Sequence, residues 1–212
     1  MKSKKTKRVY DKGWLNKYIH QDLLSREYDL FVDEVTTNGI GRDIYCFPAF
    51  TDVFCDDILR MADKKNDWGK IGHEHYTTYD TWLESLGMNE AYSSFIEDYI
   101  HPLAQYVYTL KGLEFGGSEN FIAKYLPNHK HSSLAVHIDD SDYSIQVSLS
   151  GLNEYGGGGT WYPKQKQLIK IPKGYALMHP GNAGFGHGAR RITSGERYQL
   201  VSFIKFEKYE EK

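Results

Sequence analysis

Three residues in the C-terminal half have the types and spacing to bind a metal ion. His137 and Asp139 are two positions apart in a predicted strand, so both side chains face the same side of it. His187 follows in a glycine-rich segment just before the last predicted strand. Two imidazoles and one carboxylate leave three positions of an octahedral ion open, which is the ligand set of non-haem Fe(II) oxygenases. His-x-Asp alone is a weak pattern, and a zinc hydrolase is an alternative.

An arginine ten positions after His187 suggests what else this site holds. Arg197 begins the last predicted strand, and a guanidinium directed into a sheet needs an anionic partner. No acidic residue inside the predicted strands obviously pairs with it, so a dicarboxylate such as 2-oxoglutarate is a candidate. Its keto-acid end would chelate iron while Arg197 holds the C5 carboxylate. The alternative is an exposed arginine at a strand end, because Gly195 and Glu196 are typical turn residues.

The elements that must position these residues change type along the chain. The N-terminal half predicts helices over residues 14–28, from Thr51 or Asp52 through 61, and from Asn89 to 110 with a kink at Pro102. After the glycines at 116–117, seven strands are predicted, which indicates an antiparallel sandwich or barrel. They cover residues 120–126, 134–138, 143–149, 160–162, 167–171, 175–178 and 198–206. Glycines 156–159 predict a bulged hairpin, His179 a packed core histidine, and His129 and His131 exposed loop residues.

Composition limits the class of protein. The chain has 212 residues, 40% hydrophobic and 25% charged, as in ordinary folded domains, which excludes collagen-like, coiled-coil and low-complexity chains. No run of 18 apolar residues is present, so no membrane-spanning helix is expected. Neither a linker nor an internal repeat divides the chain. The sequence therefore predicts one domain over residues 14–212, preceded by a short segment at residues 1–13.

That N-terminal segment is strongly basic. Six of the first twelve residues are Lys or Arg and one is Asp, although the whole chain has a net charge of −2. We interpret residues 1–13 as a flexible, solvated arm, with contact to nucleic acid or an acidic surface as the alternative. The remainder of the chain has a net negative charge, which argues against a nucleic-acid partner. No secretory signal follows Met1, and Cys46 and Cys55 are expected to be free, buried thiols.

Several motifs occur in a fixed order that is specific in combination. They are His137-Ile138-Asp139, the glycines at 156–159, residues 174–181, His187, and Arg197-Tyr198 leading to residues 201–203. Together they resemble the C-terminal catalytic domain of procollagen lysyl hydroxylases, which are Fe(II)- and 2-oxoglutarate-dependent dioxygenases. Residues 14–20 and 45–48 resemble the opening of that domain, the latter its entry into the first core helix. The resemblance implies an α+β fold, with a double-stranded β-helix (jelly-roll) core and N-terminal helices packed on one face.

The resemblance also implies roles for individual residues. His137, Asp139 and His187 would be catalytic iron ligands, and Arg197 the catalytic anchor of the 2-oxoglutarate C5 carboxylate. Tyr125 matches a family tyrosine at the cosubstrate pocket. Gln146 stands where the family has an asparagine that reaches the same molecule, so it is assigned to the cosubstrate with one methylene more.

The implied activity is hydroxylation of lysine in collagen-like peptides or proteins, consuming O₂ and 2-oxoglutarate, with Fe(II) and ascorbate as cofactors. The products would be 5-hydroxylysine, succinate and CO₂. Prolyl or other protein or nucleic-acid oxidation and a non-catalytic binding module are the alternatives. Ala183 stands where the family has a bulkier apolar residue, on the surface through which two subunits associate. The resemblance therefore does not decide whether this chain forms a homodimer. The compartment is expected to be cytoplasmic or viral for a complete chain, and the endoplasmic reticulum lumen for a fragment of an animal-type enzyme.

Overall fold

The computed structural model describes residues 9–37, 39–69 and 79–207. Within these ranges the strands are β1 Asp33–Thr37, β2 Ile40–Pro48, β3 Tyr79–Trp82, β4 Phe115–Tyr125, β5 Tyr143–Ser148, β6 Tyr155–Gly157, β7 Thr160–Tyr162, β8 Gln167–Ile169, β9 Tyr175–Pro180, β10 Gly188–Ala189, β11 Ile192–Gly195 and β12 Arg197–Phe206. The helices are α1 Lys12–Tyr18, α2 Gln21–Ser25, α3 Asp52–Lys65, α4 Asn89–Phe95 and α5 His101–Val107. Most of the predicted basic arm lies outside the described residues, and α1 begins at Lys12.

One large antiparallel sheet carries most of the fold. Its strand order is β1-β2-β9-β5-β12-β4-β3, while β10-β7-β8 and β11-β6 form two smaller sheets. The central β12 pairs with β4 on one side and β5 on the other over most of its length. Residues of the large sheet and of β7 and β10 line a common cavity, so the smaller sheets lie opposite one face of the large one.

The helices pack on the other face of the large sheet. Phe54 and Ile58 of α3 belong to the same fully buried cluster as Ile145 of β5 and Leu200 of β12. Because side chains alternate along a strand, the sheet residues in this cluster point away from the cavity. The predicted helical layer on one face is therefore confirmed.

Helix α3 begins where the sequence predicted. The Thr51 hydroxyl accepts a hydrogen bond from the Phe54 backbone N–H, which caps the first turn. The single helix predicted over residues 14–28 is wrong. Ile19 makes a β-bridge with Phe50, and the His20 ring accepts from the Asp22 N–H to begin α2. This tertiary contact breaks the chain into α1, α2 and a 3-10 turn.

The helix predicted from Asn89 also changes character before Pro102. Residues Ile96–Ile100 form a π-helical turn between α4 and α5. Pro102 has no N–H to donate to the Asp98 carbonyl, four residues earlier. The guanidinium of Arg26 donates to that carbonyl instead, at 2.9 Å. The long helix therefore continues past the proline with its freed backbone group satisfied.

Three strand predictions were wrong or incomplete. Residues 134–138 do not form a strand; within them only His137 makes a bridge, to His187. The glycine run does not close a hairpin, because β6 pairs with β11 and β7 pairs with β8 and β10. The N-terminal half supplies β1, β2 and β3 as well as helices, and residues 45–48 end β2 four residues before α3 begins. Strands β1 and β2 pair with each other in a local hairpin, whereas β2 and β3 also pair with the distant strands β9 and β4.

Candidate metal and cosubstrate site

The register of the large sheet brings the predicted cosubstrate residues together. Arg197 of β12 is opposite Tyr125 of β4, and Val201 of β12 is opposite Gln146 of β5. Alternate residues on a strand face the same side, so Arg197 and Val201, four positions apart, share a face of the sheet. Their cross-strand neighbours Tyr125 and Gln146 lie on that same face. Arg197, Tyr125 and Gln146 all line the cavity.

A pair of backbone hydrogen bonds brings the predicted metal ligands together. The His137 N–H donates to the His187 carbonyl and the His187 N–H donates to the His137 carbonyl, both at 2.9 Å. Asp139 follows two residues later. Ligand atoms of His137, Asp139 and His187 all lie within 4.8 Å of one another. His137 Nε2 is 3.3 Å and His187 Nε2 is 3.8 Å from the nearest carboxylate oxygen of Asp139.

The hydrogen bonds around this triad suit a bound cation. His137 Nδ1 and His187 Nδ1 lie 2.9 and 3.1 Å from the carbonyls of Ala135 and Phe185, which only accept, so both Nδ1 atoms carry the proton. Each Nε2 is left with a lone pair. The Asp139 side chain is 1% exposed, and neither of its oxygens has a well-formed hydrogen bond to any residue in the described ranges. A buried carboxylate is costly without a partner, and a metal ion between these atoms would supply one.

The pKa shifts of the triad residues bear on metal binding as well. Burial raises the pKa of Asp139, but the imidazoles of His137, His187 and His179 outweigh it and hold that pKa well below its usual range. Burial lowers the pKa of His187. Burial also lowers the pKa of His137, but its contact with Asp139 outweighs this and leaves the pKa raised. Near pH 7 the site therefore offers an ionised carboxylate and a neutral His187.

A chain of hydrogen bonds connects Arg197 with the triad. Arg197 Nη2 donates to Thr160 Oγ1 at 3.2 Å, and Thr160 donates to Gln146 Oε1 at 3.0 Å. The Gln146 amide donates to His187 Nε2, also at 3.0 Å. A metal ion on His187 would take over this nitrogen, which would free the Gln146 amide for another partner.

Arg197 itself is poised for an anion. The residue is 3% exposed, which excludes the alternative of an exposed arginine at a strand end. Among the residues that the structure describes, its Nε has no hydrogen-bond partner, and its guanidinium lies 5.2 Å from the centre of the Tyr125 ring. A buried guanidinium with an unused N–H, and with no ion pair to any described carboxylate, fits one end of a dicarboxylate.

Two residues near the triad had no site role in the sequence interpretation. Thr160 connects Arg197 to Gln146, and only the pairing of β7 reveals it. His179 is 1% exposed, as predicted for a core histidine, yet its Nε2 is 3.9 Å from an Asp139 oxygen. The prediction that His131 is exposed is wrong, because its ring is 6% exposed and stacks on Tyr79. His129 is exposed as predicted.

Comparison with known proteins agrees with this geometry. No family model matches the chain. The "Procollagen lysyl hydroxylase and glycosyltransferase" of Acanthamoeba polyphaga mimivirus is 34% identical over 206 residues, which is 90% of this chain and 22% of that protein. The "Procollagen-lysine,2-oxoglutarate 5-dioxygenase" of Drosophila melanogaster is 29% identical over 208 residues, 90% of this chain and 28% of that protein. Over 90% of its length the chain therefore resembles 2-oxoglutarate-dependent dioxygenases of the lysyl hydroxylase type.

Solved structures of such dioxygenases share the fold. The viral collagen prolyl hydroxylase of Paramecium bursaria Chlorella virus-1 superposes with a TM-score of 0.57 at 18% identity, over 77% of this chain and 96% of the other. A Pseudomonas putida prolyl-4-hydroxylase gives 0.58 at 12% identity, over 79% and 94%. The predicted double-stranded β-helix core is confirmed. The chain spans about a quarter of the length of the two lysyl hydroxylases.

Proposed function

We propose that this dioxygenase hydroxylates lysine residues in collagen-like peptides, converting 2-oxoglutarate and O₂ to succinate and CO₂ and lysine to 5-hydroxylysine. The observation that carries the proposal is the convergence of His137, Asp139 and His187 in the cavity that also contains the buried guanidinium of Arg197. The names of the curated relatives support lysine as the target.

In this proposal, each residue assigned to the site has a defined task. His137, Asp139 and His187 would hold Fe(II), which with 2-oxoglutarate supplies the redox chemistry that activates O₂. Arg197 would bind the C5 carboxylate of 2-oxoglutarate, and the Tyr125 ring packs beside the guanidinium. Gln146 would donate its amide to the cosubstrate once its bond to His187 is released.

The remaining walls of the cavity exclude water from the reaction. Phe121, Val201 and Phe203 line it on the sheet side, with Leu134 and Ala189 opposite. An apolar wall would pack against the methylene groups of a lysine side chain and keep bulk water from the reacting carbon. Specificity for lysine over proline would come from this part of the site and from contacts outside it.

The experiment is oxidation of peptides that contain both residues. Collagen-like peptides with Lys and Pro are incubated with Fe(II), 2-oxoglutarate, ascorbate and O₂, and mass spectrometry locates the added oxygen. We expect a gain of one oxygen on lysine, with succinate released in equal amount, and neither in the Asp139→Ala variant. Unchanged succinate release by Asp139→Ala would reject the ligand assignment.

Prolyl hydroxylation is the second candidate, because both structural neighbours described above are named as prolyl hydroxylases. The same peptides distinguish the two, since oxygen on proline alone would replace the lysine assignment. Absence of succinate release with every peptide would favour a binding module instead. The ascorbate requirement and a homodimer also belong to the proposal; omission of ascorbate and sedimentation of the protein test them. The predictions of cellular compartment and N-terminal arm function remain predictions.

A further inference from the structure

A second groove adjoins the cavity and carries two arginines. We call it the arginine groove, and it is lined by Leu134, Val136, Trp161, Arg190 and Arg191. The arginine groove and the cavity share Leu134 and Ala189, and Ala189 immediately precedes the two arginines in the sequence. Any polymer whose side chain enters the cavity must lay its neighbouring residues across the mouth, so this groove lies where a flanking residue would pass.

The two arginines are available to a ligand. Both are exposed, and neither forms an ion pair with an acid among the residues described. The Arg190 guanidinium lies over the Trp161 ring at 4.8 Å from its centre. A guanidinium that stacks on a ring through its face keeps its N–H groups at the edge for a carboxylate. Val136, which is 53% exposed, adds an apolar contact beside them.

The other side of the mouth has a different charge. There the adjoining depression is lined by Glu119, Asp140 and Lys205, and it shares Asp140 with the cavity. Lys205 and Asp140 form an ion pair. With Asp140 neutralised by Lys205, a polyanion crossing the mouth would meet the carboxylate of Glu119 on this side, whereas a peptide can match each side with a different residue. The charges therefore favour a peptide over a nucleic acid.

We propose that the arginine groove binds an acidic residue of the peptide substrate close in sequence to the residue that enters the cavity. The proposal rests on the proposed function for the identity of the occupant. Arg190 is three residues from His187 along the chain, which spans about 10 Å in extended backbone. An extended peptide covers that distance in about three residues. The acidic residue is therefore expected about two to four positions from the target.

The test is a scan of one acidic residue along a lysine-containing peptide. Aspartate is placed at each position from four before to four after the lysine, and asparagine at the same position is the neutral control. For each pair kcat/KM is measured, and Kd is measured by fluorescence anisotropy under anaerobic conditions with Mn(II) and 2-oxoglutarate. We expect aspartate to be preferred about threefold to tenfold at one or two positions, through Kd and KM and not through kcat.

Variants connect that preference to the groove. In Arg190→Ala/Arg191→Ala the preference for aspartate over asparagine should disappear, and in Arg190→Glu/Arg191→Glu a lysine at that position should become preferred. The control is Lys64→Glu/Lys65→Glu at the end of α3, which makes the same charge change on the helical layer and should keep the aspartate preference. Thermal unfolding verifies that all variants are folded.

Each remaining outcome decides the question. An equal aspartate preference in the parent and in Arg190→Ala/Arg191→Ala would overturn the proposal, as would no measurable binding of any peptide. Arginine-dependent binding of a single-stranded oligonucleotide that displaces the peptide would overturn it in favour of a nucleic-acid contact. If no residue is hydroxylated but peptide binding keeps the arginine-dependent preference, the arginine groove stands and the proposed function fails.

Discussion

Replacement of Arg197 by methionine should separate the roles of this residue in binding and in folding. The side chain is buried, and within the described part of the chain its Nε is unpartnered and no carboxylate forms an ion pair with it, so the free protein bears the desolvation cost of its charge. Methionine fills a similar length without that cost. Apolar replacement of buried charged groups has been neutral or stabilising by about 1–4 kcal/mol. Even 1 kcal/mol raises Tm by about 2–4 °C in a domain of this size.

Binding of 2-oxoglutarate should respond in the opposite direction. At a concentration 100 times its Kd, a ligand stabilises the folded state by about 2.7 kcal/mol, which predicts a rise in Tm of about 5–11 °C for the parent protein. Loss of the guanidinium should weaken binding by about 2–5 kcal/mol. At the same 2-oxoglutarate concentration, the rise in Tm of Arg197→Met should then be under about 4 °C.

Thermal unfolding followed by circular dichroism measures both effects in one experiment. The protein is loaded anaerobically with Mn(II) and heated with and without 2-oxoglutarate. Arg60→Met is the matched control, because Arg60 is exposed on α3 and pairs with Asp57 far from the cavity. It should keep the full 2-oxoglutarate response. An equal response in Arg197→Met would refute the assignment of Arg197 as the anchor, whatever its effect on the free protein.

Three further predictions concern the metal ligands and the layers that support them. The pKa of His137 is raised above 6.5, so protons compete with the metal ion for its Nε2. The Mn(II) affinity measured by calorimetry should therefore fall up to tenfold per pH unit below that pKa. A constant Mn(II) affinity from pH 8 to 6 would contradict this. A Cβ on Gly181 would lie 2.0 Å from the Ser141 carbonyl oxygen, so Gly181→Ala should lower both Tm and Mn(II) affinity. The control is Gly186→Ala, which should change neither, because the nearest atom to its Cβ would be 3.5 Å away. Ile58→Ala should cost about 2–5 kcal/mol of unfolding free energy in a denaturant titration while the folded variant keeps its Mn(II) affinity; weakened Mn(II) binding would contradict the separation of the two layers.

The sequence predicted elements whose cause is local. Helix α3 follows from the Thr51 cap and an apolar face, and β5, β7, β9 and β12 follow from short apolar or aromatic runs between turn residues. The break between α1 and α2 depends on the bridge from Ile19 to Phe50, which no local pattern signals. Strands β2 and β3 likewise depend on the distant partners β9 and β4, although β1 pairs locally with β2.

For the site, residue types alone singled out His137, Asp139, His187 and Arg197, since few side chains bind divalent cations or dicarboxylates. Their convergence comes from tertiary structure: the bridge between His137 and His187 and the register of β12 against β4 and β5. Thr160 had no signal in the sequence because its hydroxyl meets Arg197 only when β7 lies across the large sheet. The chemical type of a side chain is a property of one residue. The contact between Arg197 and Thr160, at about 3 Å across 37 positions of sequence, exists only after the chain has folded.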